Sequence, residues 1–161
     1  MLRVFAFAAA VCVLAVPALA AEAPAGFVKT QAGLLGIAPL NDKIALGGAH
    51  LLCREAAVVA VTPDIPGSAS RQVAREAYRG IAQRLSATEA GADALLIEGL
   101  RDAGMADASP ETVTALAERT RQGLASRLFQ VNPATAQEIA VTCRALAASA
   151  FDDINSRVAA R

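Results

Sequence analysis

The chain has 161 residues, fifteen basic and fifteen acidic, for a formal net charge of zero, and 55% of its residues are hydrophobic. A neutral balance supplies no long-range field to gather nucleic acid or an anionic membrane surface. The content of Leu, Ile, Val and Ala is enough for a core, which excludes a disordered linker; with no Trp and one Tyr, a stacking surface for bases or sugars is disfavoured.

Residues 1–20 have the three parts of a secretory signal. Arg3 is the positive start, Val4 to Val16 is uncharged and apolar, and Pro17 precedes the small-x-small site Ala18-Leu19-Ala20. Cleavage after Ala20 predicts a mature chain of about 140 residues, the size of one domain. Loss of Arg3 leaves fourteen bases against fifteen acids, a net charge of −1. Cys12 departs with the signal, and Ala9-Ala10-Val11 before it does not form a lipid-attachment site. The expected compartment is therefore the periplasm or the exterior, without stable membrane insertion after cleavage.

Residues 21–40 read as an N-terminal segment on the outside of the main body, with Phe27, Leu34, Leu35 and Ile37 interrupted by Pro24, Gly33, Gly36 and Pro39. One short helix is expected there. Residues 41–161 read as the helical domain. Its first helix is predicted from the cap Asn41-Asp42 to about Val61, with Gly47-Gly48 as a weak point that could move the start to Ala49. Thr62 to Ser68 is a loop by its prolines and glycine. A second helix is predicted over Ser70–Ser86 and a third over Thr88–Ala103, the two separated by a capping box at Ser86-Ala87-Thr88-Glu89 and the third stopped by Gly104. Ser109-Pro110-Glu111 opens the fourth helix, and Asn132-Pro133 opens the last and longest. Ile139, Cys143, Leu146, Ala150 and Ile154 form the stripe of that last helix.

No segment alternates with period two over a strand's length. The fold class is all-α: a single-domain bundle of four main helices plus a short N-terminal one, with brief loops that favour antiparallel neighbours. Glycines expected on inner faces (Gly80, Gly91, Gly99, Gly123) predict close helix approach. After signal removal two cysteines remain, Cys53 in the first main helix and Cys143 in the last. In an oxidising compartment they predict one disulfide, if the first and last helices are neighbours. A loop of about 90 residues then gives roughly 4–5 kcal/mol in the chain-entropy model. The arginines that follow both cysteines would favour a reactive thiol, but no Cys-x-x-Cys supports a redox role.

Catalytic signatures are missing from the sequence. The single histidine, His50, forms no zinc pair, and its spacing to Cys53 supplies too few ligands; a partly exposed or core-edge position is expected for it. Pairing His50 with Met105 on haem lacks an attachment motif. No nucleophile elbow, Ser-x-x-Lys or phosphate loop occurs. Glu89 with Asp93, and Glu98 with Asp102, lie at helical spacing and read as solvated faces, as does Asp152-Asp153. No catalytic residue, metal or cofactor is assigned. Arg71, Arg75 and Arg79, on adjoining turns, are the candidate contacts for an anion or an acidic partner.

The sequence thus predicts a small exported helical protein, non-enzymatic, that binds another exported or envelope protein as an accessory, adaptor, inhibitor or chaperone-like module. The alternative is a carrier of a small apolar ligand between helices. An enzyme using acidic residues ranks third; its mark would be a carboxylate of raised pKa in a cleft.

Overall fold

The computed structural model describes residues 25–38, 40–61, 82–129 and 133–148. Within them lie five helices and no strand: α1 (Ala25–Leu35), α2 (Asp42–Val61), α3 (Ala82–Asp102), α4 (Pro110–Phe129) and α5 (Pro133–Ala148). The fold is all-α, as the periodicity predicts. The signal segment, the loop after Val61, most of the predicted second helix and the end of the last helix lie outside the described residues.

The ends of the helices follow local chemistry. Asn41 caps α2, its Oδ1 accepting the Ile44 N–H at 2.9 Å. Pro110 and Pro133 each occupy the first helical position, where no N–H is needed. Gly104 closes α3 in a Schellman motif: its N–H bonds the Arg101 carbonyl at 3.0 Å, and the Met105 N–H bonds the Leu100 carbonyl at 2.9 Å. That geometry needs the left-handed backbone at Gly104, where φ is 89°. Gly36, with φ of 68°, ends α1 in a related way, and the guanidinium of Arg119 also donates to the Leu35 carbonyl.

The predicted break at Ser86–Glu89 does not occur. Helix α3 runs through it without interruption from Ala82. No proline or helix-stopping turn lies there, and Glu89 is drawn to Arg54 of α2 rather than back to its own backbone. A capping box is only permissive: the same four residues fit a helix interior when nothing ends the preceding turn.

Helix α2 is central, and each of the other four helices packs against it. Positions 47–53 are buried without a break, so its middle presents no solvent face. The pair expected to be a weak point, Gly47-Gly48, is where two neighbours pack closely against α2. A Cβ on Gly47 would stand 2.6 Å from the Ala92 carbonyl oxygen of α3; one on Gly48 would stand 2.7 Å from Gln31 Nε2 of α1. The helix persists because contacts made by the two bare backbones outweigh a propensity cost of about 1 kcal/mol each.

The expected outside position is corrected for the described part of the 21–40 segment. In α1, Phe27, Leu34 and Leu35 are buried, and Gln31 donates to the Ala45 carbonyl of α2 at 3.1 Å. The four-residue spacing from Phe27 to Gln31 to Leu35 puts one face of α1 on α2. The core falls into two parts. Phe27, Leu52, Leu95, Leu124 and Ile139 pack with Cys53 and Cys143, while Ile44, Leu51, Leu96, Leu100 and Val113 pack nearer the α3–α4 turn.

Candidate functional site

Cys53 of α2 and Cys143 of α5 form a disulfide, with Cα atoms 5.7 Å apart and both residues fully buried. The sequence pairing is correct, and the bond joins the central helix to the last. Neither cysteine therefore offers a thiolate to a metal or a substrate. Arg54, next to Cys53, turns to carboxylates instead. His50 is fully buried, not at the core edge as expected, because α2 is enclosed on every side at that level. Met105 is exposed, at the far end of α3. Arg71, Arg75 and Arg79 lie outside the described residues, as does Asp152-Asp153.

The two carboxylate pairs are not simply solvated. Each flanks one cation of α2. Lys43 Nζ lies 2.8 Å from Asp102 and 3.5 Å from Glu98. Arg54 Nη1 lies 2.8 Å from Glu89 and 3.4 Å from Asp93. The order 43 with 98 and 102, then 54 with 89 and 93, is that of antiparallel helices. The hydrogen bond that Lys43 donates to Asp102 does most to raise the Lys43 pKa. Arg101, adjacent to Asp102 in the chain, donates to the Ala108 carbonyl at 3.1 Å and braces the α3–α4 turn.

The Arg54 cluster stands in an open groove of about 610 Å³ formed by three helices. Helix α2 contributes Arg54, Glu55 and Val58; α3 contributes Glu89, Ala90, Asp93, Ala94 and Ile97; α4 contributes Pro110, Val113, Thr114 and Ala117. Each set recurs at three- and four-residue steps, so one face of each helix meets the groove. Alanines on α3 and α4 keep it open, and Val58 is 42% exposed within it. A second open hollow, of about 460 Å³, lies where the α1–α2 turn meets the end of α3, beside Ile37, Leu40 and Met105.

Glu55 is the buried member of the groove's charged set. Its carboxylate accepts Arg54 Nε at 3.1 Å. Burial pushes its pKa up, and the hydrogen bond from Arg54 only partly offsets that; Arg121 pulls it down and Glu118 pushes it up from further along α4. The latter two are themselves paired: the bond from Arg121 lowers the Glu118 pKa. A raised carboxylate in a cleft was the sequence mark for acid–base chemistry, and Glu55 carries it. One oxygen, however, is held by a permanent cation, the Arg54 guanidinium.

Among the described residues no group of three or more His, Cys, Asp or Glu side chains is arranged to hold a metal ion. No described helix is long and apolar enough to cross a membrane. Sequence reasoning missed this groove and the role of Arg54, which it considered only as a neighbour of Cys53. The available signal was the four-residue spacing of Glu89 and Asp93 facing an arginine on another helix. Comparison with protein-family models, with curated proteins and with solved structures gives no match.

Proposed function

We propose that this is an exported, non-enzymatic protein that works by binding another exported or envelope protein through the α2–α3–α4 groove. The groove itself carries the reading: an apolar strip of Val58, Ala94, Ile97 and Val113 is bordered by ionised side chains, the layout of a protein-binding surface rather than of a sealed ligand chamber. Export is supported by the signal features of residues 1–20 and by the Cys53–Cys143 bond, which is compatible with an oxidising compartment. The carrier alternative gains no support from the inner contacts. At Gly47, Gly48 and Gly99 the neighbouring helices approach too closely to hold a ligand between them.

A photo-crosslinking residue in place of Thr114, an exposed groove position, tests the proposal in cells that export the protein. A discrete adduct with a different protein is expected, absent when the same group replaces Gln137 on α5. Mass analysis of the exported form is expected to show Ala21 as the first residue. No Thr114 adduct, or retention of Met1, contradicts the corresponding half of the proposal.

An acid–base enzyme is the second reading, drawn from the raised pKa of Glu55 alone. A hydrolytic activity that disappears in Glu55→Gln while the helical content is unchanged would replace the first reading with this one.

A further inference from the structure

We infer that the groove's partner presents a basic amphipathic helix, with its apolar face on the alanine floor and its cations against Glu89 and Asp93. The inference rests on the protein-binding reading above and specifies the partner's chemistry.

Length and shape come first. The floor on α3 runs from Ala90 through Ala94 to Ile97, which at 1.5 Å per residue is about 10 Å, or two helical turns. Val113 and Ala117 face it from α4, and Val58 lies below on α2. Small side chains on both walls let a third helix come close, and anchors spaced at i, i+4 and i+7 would match two turns. The walls are helices whose backbone groups are bonded within themselves, so an extended peptide finds no strand edge to pair with.

Charge then selects the sign of the partner. Among the lining residues, three carboxylates (Glu55, Glu89 and Asp93) face one guanidinium, Arg54. Glu118 and Arg121, further along α4, are paired and cancel. Glu89 and Asp93 share Arg54 and remain partly exposed, with side-chain exposures of 51% and 32%, so both can accept further hydrogen bonds. The surplus is negative, which attracts Lys or Arg and repels a second copy of the same acidic face.

The test uses the purified, oxidised protein and two synthetic helical peptides with Leu at i, i+4 and i+7. One has those leucines flanked by lysines, the other by glutamates. Fluorescence anisotropy is expected to show binding of the lysine peptide at least about ten-fold tighter than the glutamate peptide, weakening as salt rises. Ala90→Trp fills the groove at an exposed position without changing charge, and is expected to weaken the lysine peptide by about ten-fold or more. Thr114→Trp serves the same purpose from the opposite wall if Ala90→Trp fails to fold. Equal binding of the two peptides, or no effect of either tryptophan, overturns the proposal. So does a Thr114 crosslink to a second copy of this chain. An adduct with another protein, but no preference for the lysine peptide, rejects the basic helix and leaves the protein-binding reading intact. Absence of both rejects the two together.

Discussion

Asn41 and Gly99 are joined across the α2–α3 interface by a hydrogen bond of 2.8 Å, from the Asn41 Nδ2 to the Gly99 carbonyl. The same amide caps α2 through its oxygen. One side chain therefore sets the start of the central helix and the register of its largest neighbour. Asn41→Ala removes both bonds and is expected to cost about 1–2 kcal/mol. Asn41→Ser keeps a cap but cannot reach as a donor across the interface, so it should fall between. Urea denaturation checks the order, with the midpoint moving and the slope unchanged.

The glycines separate by what a methyl group would meet. Gly47→Ala drives the new carbon against backbone of α3, which cannot move alone, and is expected to destabilise by about 1–3 kcal/mol despite the better helix former. Gly123→Ala meets only the end of the Leu34 side chain, which can rotate. The propensity gain of about 1 kcal/mol should then leave that variant near wild type. Gly104→Ala has open space but the wrong backbone hand, and a cost of about 1–2 kcal/mol is expected. Thermal melts of the three variants should rank Gly47 or Gly104 lowest and Gly123 highest.

Removing the disulfide acts mainly through the unfolded chain. The cysteines are 90 residues apart, and in the chain-entropy model the double variant Cys53→Ala/Cys143→Ala loses about 4–5 kcal/mol. Because the described part of α5 packs on its described neighbours far less extensively than α2 does on α3, its amides should lose protection first when the bond is absent. Hydrogen exchange by mass spectrometry, comparing oxidised protein with the double variant, reads that order directly.

Glu55 predicts a pH dependence with a definite sign. Burial holds its folded pKa above the usual glutamate value of about 4.3. The folded state therefore binds this proton more tightly than the unfolded state. The resulting stability is complete below the unfolded value and is lost as pH rises through the higher folded one. Glu55→Gln, which does not titrate, should gain stability relative to wild type between about pH 4 and pH 7. Urea midpoints at the two pH values give the difference; a variant that instead loses ground towards neutral pH would show that the Arg54 contact outweighs burial.

Local grammar accounts for much of what was legible beforehand. The cap at Asn41, the prolines at 110 and 133 and the stop at Gly104 act within one turn of backbone, so their chemistry can be read from neighbours in the chain. The cysteine pairing followed from their number and from the compartment expected of an export signal. The supposed helix start at Ser86–Glu89 failed for the complementary reason: a permissive local motif gave way to an ion pair with Arg54, 35 residues away.

Adjacent residues and simple counting were enough for the helical class, for half of the described helix ends and for the identity of the cross-linked cysteines. Packing between distant helices made α2 central, buried His50, brought α1 into the core and turned Gly47 and Gly48 into contact points. It alone brought Arg54, Glu55, Glu89 and Asp93 to one groove. A 3.6-residue period shows which side chains share a stripe, but which stripes meet is set by packing among distant helices, and alanine and glycine faces leave almost no hydropathy signal to announce it.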